Sequence, residues 1–482
     1  MHRIATFVEK LPAHPNAEYY KVYPRSVRQY PGGTAFMAAD EQGCDKLYSC
    51  GEKAPFEGLR REAGGTVFYE CELSAHNAAV LRELFPFCGP QKVLSRKCTF
   101  GTGDRLGLAT PGHIAAVRKY DATPVLAQQS MRELSLTGRT FRDVIDDVTF
   151  YVFREGYTGG YGADGDHLKT MEEIEAAIGS GCTMITLDLS EHIHRPEENR
   201  GDVDDAVKAY YLDRAFPLEG GYEIRFSERE LRDAVTIYGE ALAFASQAAQ
   251  RFFNQEDAPA ELEISIDETI LPTTPQQHFF VANELVRKGV RFATIAPRFT
   301  GEFQKGIDYM GDLARFEEEL KIHVAIAKTY GYKLSVHSGS DKFSIFPYVG
   351  RWTEGNFHIK TSGTSWLEAM KLTAMQAPAL YRQIHKYALT VFEKARAYYH
   401  VSADPAALPE VDLVPEELLP KLFEEDNCRQ LIHITYGYIL RHPVFGSLLR
   451  QLWKKETGRY TALIEQHMTR HLEYLSVPYT GE

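Results

Sequence analysis

Between Cys98 and Gly363 the chain carries eight short strand-like runs, each ending in polar, chemically capable residues and alternating with helix-like segments. The runs are KCTFGTGDR, TPVLAQQ, YGADGDHLK, TMITLDLS, ELEISIDE, RFATIAP, YKLSVHSG and NFHIKTSG. Consecutive parallel strands need helical crossovers, so eight of them predict an α/β chain built on a (β/α)8, TIM-like barrel. Such a barrel collects its C-terminal strand ends on one face, which would converge His337, His358, Lys360 and several carboxylates.

The intervening segments agree with this count. MEEIEAAIGSG, FFVANELVRKGV and FEEELKIHVAIAKTYGY show apolar residues at helical spacing and stop at glycine. TFRDVIDDVTFYVFREGY is either a long helix or hides a strand in VTFYVF; Thr140 can cap a helix there, and YGADGDHLK then supplies the third strand. Residues 1–94, with TAFMAAD, KLYSCGE, GTVFYECEL and the helix-like SAHNAAVLRELFPF, read as a small N-terminal α+β unit. Residues 95–364 are the barrel, and 365–482 a helical C-terminal extension broken by the Pro-rich DPAALPEVDLVPEELLP. His385, His433 and His442 in that extension read as structural or solvent-facing.

An apolar fraction of 44% over 482 residues fills a substantial core. No run of about 18 apolar residues appears, and MHRIATFVEKLPAHPNAEYY lacks an apolar signal region, so a cytoplasmic location is expected. A formal charge of −12 argues against nucleic acid or an anionic membrane as the main partner. Seven cysteines without a C-x-x-C spacing argue against a disulfide framework or a thiolate zinc site.

Chemistry therefore concentrates at the strand ends. GADGDHLK places Asp166 beside His167, a carboxylate that can accept a proton next to an imidazole that can ligate a metal. ELEISIDET ends in Asp267 and Glu268, either of which can be a metal ligand or a general acid. HSGSDK offers His337, Ser338 and Asp341 in a Gly-containing turn, and HIKTSGT offers His358 and Lys360. These two ends fit either a phosphate cradle or a site where His337 ligates a metal and Lys360 neutralises an acidic sugar. APRFTGEFQKGIDYMGD adds Arg298, Gln304, Lys305 and Asp308; Arg298 can fork a carboxylate, and Asp308 or Gln304 can complete a metal shell. FGTGDRLG brings Asp104 and Arg105 to the same rim without forming a dinucleotide fingerprint.

The strings TFGTGDRLGLATPGH, GYGADGDHLKT, APRFTGEFQKGIDYMGD, LSVHSGSDKFSIFP and FHIKTSGTSWLEA resemble the tagaturonate epimerase family of hexuronate catabolism. The resemblance implies interconversion of D-tagaturonate and D-fructuronate, with the neutral ketohexoses tagatose and fructose as a second substrate pair. It further implies a divalent metal cation such as Mn, Zn or Ni and no nicotinamide. Carried over by motif, Asp166 is the proton acceptor, His167 and His337 are metal ligands, and Glu268 or Asp267 is the proton donor. Asp308 is favoured over Gln304 as the last ligand because hard cations prefer anionic oxygen. Arg105, Arg298, Lys305 and Lys360 are the candidates to bind the uronate carboxylate, with Lys360 favoured for its barrel position.

The two ketohexuronates differ at a carbon β to the ketone, whose C–H that carbonyl does not acidify, so simple enolisation inverts the wrong centre. A retro-aldol route inverts the right one; transient oxidation by nicotinamide is the other solution, and no nucleotide fingerprint supports it. An aldolase or aldose-ketose isomerase on the same barrel is the alternative activity, and a non-catalytic sugar-binding protein is a third reading.

Overall fold

The computed structural model describes residues 6, 8–10, 22–40, 43–51, 54–63, 65–198, 203–269, 271–361 and 363–481. Strands β1 (Arg28–Tyr30), β2 (Gly33–Ala39), β3 (Asp45–Cys50), β4 (Leu59–Ala63) and β5 (Thr66–Cys71) pair antiparallel in the order β1-β2-β3-β5-β4. The helix Ala75–Leu84 follows, with the Ser74 hydroxyl accepting from the Asn77 N–H as its cap. Met37, Leu47 and Leu81 share a buried cluster with Phe150 and Phe153 of the helix Phe141–Glu155, which belongs to the barrel's outer ring. The ion pair Arg82–Asp146 at 2.6 Å pins the helix Ala75–Leu84 to that helix, and Arg154–Asp45 at 2.9 Å pins the sheet to it.

Eight parallel strands then close into a barrel: β6 (Cys98–Thr102), β7 (Thr123–Ser130), β8 (Gly162–Leu168), β9 (Met184–Asp188), β12 (Glu261–Ile266), β13 (Thr294–Pro297), β14 (Lys333–Val336) and β15 (Phe357–Thr361). Each of the eight runs read from the sequence is one of these strands. A short ribbon, β10 (Phe216–Pro217) and β11 (Glu223–Ile224), is inserted between β9 and β12. β15 pairs with β6 in register from Phe357↔Cys98 to Thr361↔Thr102, which completes the closure.

The ambiguous VTFYVF segment lies inside the helix Phe141–Glu155. Thr140 and Asp143 form a capping box at its start, and Gly156 ends it in the left-handed region at φ 56°. The helices Met171–Ser180, Pro275–Arg287 and Leu313–Tyr330 are crossovers, as their periodicity predicts.

Beyond β15 the chain is helical, from Thr364–Gln376 and Pro378–Arg396 to Phe445–Lys455 and Thr457–Tyr474. The Pro-rich stretch contributes only the short turns Pro405–Ala407 and Glu416–Glu424. The last helix lies so close on the barrel helix Thr110–Val117 that a Cβ on Gly112 would stand 2.5 Å from the Ile464 Cβ. Trp366 and Trp453 meet edge to face at 5.8 Å in a core cluster shared by the barrel and these helices. All seven cysteines are free, and no helix among the described residues is long and apolar enough to cross a membrane.

Candidate active site

The period-two alternation of a strand dictates what β12 sends inward. Its Leu262, Ile264 and Ile266 are fully buried, while Glu263 and Ser265 face the interior polar network. Glu263 is 0% exposed, and its Oε1 receives bonds from the Thr186 hydroxyl at 3.0 Å and a ring nitrogen of His337 at 2.7 Å. Thr294 donates to its other oxygen at 2.7 Å. Burial raises the Glu263 pKa, but His337 and Lys360 outweigh it and hold the carboxyl well below the usual range.

His337, just beyond β14, is clamped between two carboxylates: Nε2 faces Glu263, and Nδ1 lies 2.9 Å from Asp267 Oδ1. Burial would lower its pKa, yet Asp267 and Glu263 push it up to about 10. Asp267 also accepts from the Ser265 hydroxyl at 2.6 Å. Despite burial its pKa lies far below the ordinary value, held there by His337, His167 and Ser265.

β8 does not run regularly into the mouth. Its pairing with β9 slips between Gly165 and Leu168, and His167 adopts φ 55°. The irregularity lets Asp164, Asp166 and His167 all reach the interior, where strict alternation would send His167 outward. The Lys360 ammonium answers this cluster: it lies 2.8 Å from Asp164 Oδ2, 3.3 Å from Glu263 Oε1 and in close contact with Asp166 Oδ1. Asp164 is pushed up to about 6 by burial, partly offset by Lys360, with Asp166 and Glu263 adding to the rise. Asp166 goes the other way: burial opposes it, but Lys360 and His167 hold it below the ordinary value and keep it ionised.

His167 Nδ1 lies 3.4 Å from Asp188 Oδ2 at the end of β9, and its ring centroid is 5.0 Å from that of His337. Burial lowers the His167 pKa, but Asp166 and Asp188 raise it above the ordinary value overall. Asp188 is held at about 2 against burial by its bonds from His167 and Ser190.

The open space above these groups is a two-lobed cleft. The inner lobe, about 170 Å³, is faced by Asp166, His167, Asp188, Glu268, His337 and Lys360. The outer lobe, about 330 Å³, is faced by Asp267, Arg298, Gln304 and, from the helical extension, Tyr398, Tyr399 and His400. Arg132, Glu268, Lys305, His337, Ser338 and Tyr399 border both. Lys305 donates to the Ser338 hydroxyl at 2.9 Å, and the Arg132 guanidinium lies 5.4 Å over the Tyr399 ring. Among the described residues Arg132, Arg298 and Lys305 have no carboxylate partner. Ligand atoms of His167, Asp267 and His337 all lie within 4.8 Å of one another, as do those of His167, Asp188 and Glu268. Two imidazoles among so many carboxylates suit a divalent cation.

Several residues singled out from the sequence are engaged elsewhere. Asp308 accepts from the Ser344 hydroxyl at 3.0 Å and from the Ser344 N–H, so it fixes a loop, and among the described residues it belongs to no cluster of metal-ligand type. Gln304 borders the outer lobe, but its Oε1 accepts from the Ser402 N–H at 2.7 Å and from Gln430 at 3.0 Å. Lys360 borders the inner lobe with its ammonium among the carboxylates of Asp164, Asp166 and Glu263. Arg105 touches the inner lobe, yet Glu133 neutralises it at 2.8 Å and it stacks 3.8 Å over Tyr436. His358 lies deeper in the barrel, bonded to Thr99 at 2.9 Å, and Asp341 turns toward Arg429, His467 and His471 of the extension.

Conversely Glu263, Asp188 and Arg132 were not nominated from the sequence. Glu263 had a readable signal in the alternation E-L-E-I-S-I-D, and Asp188 in its position at a strand end. Arg132 lies on the helix Met131–Thr137, as far past the end of β7 as Glu268 is past the end of β12, so its signal was also a strand-end position.

A mouth that holds ionised carboxylates, two imidazoles and unpaired cations on a parallel barrel defines an acid–base enzyme for a small polar substrate. The comparison with known proteins narrows this class. The profile of the tagaturonate epimerase family matches residues 23–475. The tagaturonate/fructuronate epimerase of Thermotoga maritima is 42% identical over 470 residues, covering 95% of this chain and 97% of its own. Crystal structures of the fructuronate-tagaturonate epimerase from Cohnella laeviribosi, native and with one glycerol, superpose with TM-scores of 0.92 at 42% identity, covering 99% of this chain and 100% of theirs. The chain belongs to the tagaturonate epimerase family and is an epimerase.

Proposed function

We propose that this epimerase interconverts D-tagaturonate and D-fructuronate by a retro-aldol and aldol sequence, with a divalent cation held by His167, Asp267 and His337. The observation that carries the reading is the inner lobe itself, where Asp166 of β8 and Glu268 just past β12 approach one space beside both histidines. The relatives that carry the same activity in their names, at 42% identity over nearly the full chain, support the substrate. When bound, the cation supplies Lewis-acid polarisation of the substrate oxygens.

The protein groups do the rest. Asp166, ionised by the neighbouring Lys360, accepts the proton of the β-hydroxyl. That oxygen's electron pair becomes a C=O bond as the bond between the α and β carbons breaks, and the electrons of the broken bond pass to the ketone as an enediolate. The aldehyde fragment turns, the enediolate carbon attacks its other face, and the new alkoxide takes a proton from Glu268. Asp267 is the poorer donor, since its His337 and Ser265 contacts keep it unprotonated. Arg132 and Lys305 receive the uronate carboxylate by charge-assisted hydrogen bonds where the two lobes meet.

Every C–H bond survives this sequence. Epimerisation run in D2O and followed by NMR is therefore expected to place no deuterium at the inverted carbon. Deuterium appearing there at the rate of epimerisation would sink the retro-aldol step, and three-carbon products accumulating without the epimer would favour an aldolase.

A further inference from the structure

The helix Thr457–Tyr474 carries His467 and His471 one turn apart, and both rings reach across to Asp341 on the loop that follows β14. His467 Nε2 lies 3.2 Å and His471 Nε2 3.3 Å from the same oxygen, Asp341 Oδ1. Those separations match the edge of a tetrahedral shell, since bonds of about 2.0–2.2 Å to nitrogen and oxygen put neighbouring ligands roughly 3.3–3.5 Å apart. All three ligand atoms lie within 4.8 Å of one another. Asp341 is only 4% exposed, yet its Oδ1 has no hydrogen-bond partner, and neither has His467 Nε2, although the two are within reach of each other.

The far sides of both rings are arranged as metal-binding histidines require. A ligating imidazole nearly always points its other nitrogen at a carboxylate or a backbone carbonyl, which fixes the ring. His471 Nδ1 donates to the His467 carbonyl at 2.9 Å, and His467 Nδ1 faces Glu368 Oε1 at 3.6 Å. Arg429 pairs with Asp341 through Oδ2, which leaves Oδ1 to the histidines. One contact competes: the Asp341 N–H donates to His471 Nε2 at 3.0 Å, so a cation must displace that bond. None of the three residues borders either lobe of the cleft.

We infer that Asp341, His467 and His471 form a second metal site, separate from the mouth, suited to a borderline cation such as Zn²⁺. Two imidazoles and one carboxylate are the donor set such an ion takes. Its role is structural: it would fasten the last helix to the loop that begins with His337.

The test is the metal content of full-length protein loaded with Zn²⁺ and dialysed, measured by inductively coupled plasma mass spectrometry. His467→Ala is expected to hold one equivalent fewer per chain than the wild type and to melt at a lower temperature in Zn²⁺. His337→Ala is expected to keep one equivalent, which the double variant His337→Ala/His467→Ala loses. Equal zinc in the wild type and His467→Ala overturns the site, as does an equivalent retained by the double variant. Should His467→Ala not fold, His467→Gln carries the same comparison. A wild type with one equivalent that His467→Ala abolishes would support this site while removing the metal from the mouth.

Discussion

Replacing Lys360 by methionine tests the electrostatic design of the mouth most severely. The ammonium is 4% exposed and stands among Asp164, Asp166 and Glu263, at 2.8 Å, in close contact and at 3.3 Å. Methionine fills similar volume, so the perturbation is chiefly electrical. Removing one partner of a buried ion pair costs about 3–5 kcal/mol because it strands an uncompensated charge. Three carboxylates are stranded here, but Asp164, already at about 6, can take a proton and limit the loss to that range. The pH dependence has a definite sign. In the variant the carboxyl pKa rises above its unfolded value, so the folded state binds the extra proton and its stability falls as pH rises through that pKa. The gap between wild type and variant should therefore widen from pH 5.5 to pH 8. Urea unfolding followed by circular dichroism at both values measures it by linear extrapolation. A loss below about 1 kcal/mol, equal at the two pH values, would refute Lys360 as the counter-ion of this cluster, since that is the size of an exposed pair.

Two further substitutions address the chemistry. Asp166→Asn keeps the shape but removes the proton acceptor, and turnover should fall about 10²–10⁴-fold, read by NMR of the epimer, with zinc content unchanged. A fall of less than threefold would discard Asp166 as the base. Arg132→Ala and Lys305→Ala should each raise KM for the uronate by about 10–150-fold, the equivalent of 1.5–3 kcal/mol for a hydrogen bond to a charged group, and leave any activity on neutral ketohexoses unchanged. Equal losses on charged and neutral sugars would remove both from carboxylate recognition.

The barrel was legible because its signals are local. Eight apolar runs, the glycines that stop the helices before Gly181 and Gly331, and the cap at Thr140 each act within a few residues. The mouth was legible only in part. Asp166, His167, Asp267, Glu268 and His337 do gather around the inner lobe or its edge, as the strand-end rule predicts. Which oxygen a lysine meets is a tertiary fact: Lys360 on β15 reads from the sequence as a cation for substrate, and only the closed barrel brings it to Asp164 and Asp166 of β8 and Glu263 of β12, which are not its neighbouring strands. Asp308 is likewise engaged by a tertiary contact, since Ser344, 36 positions away in sequence, donates to it. Preference for a hard anionic oxygen says nothing about where a loop points that oxygen. His467 and His471, one helical turn apart, acquire meaning only once Asp341 is known to face them.

The most direct test of the account is NMR of D-fructuronate incubated with metal-stripped enzyme, before and after adding Mn²⁺, Zn²⁺ or Ni²⁺ and without nicotinamide. No epimer is expected before addition and D-tagaturonate after it, with His337→Ala failing to respond. Full interconversion by the stripped enzyme, or none with any of the three metals in a folded sample, would contradict it.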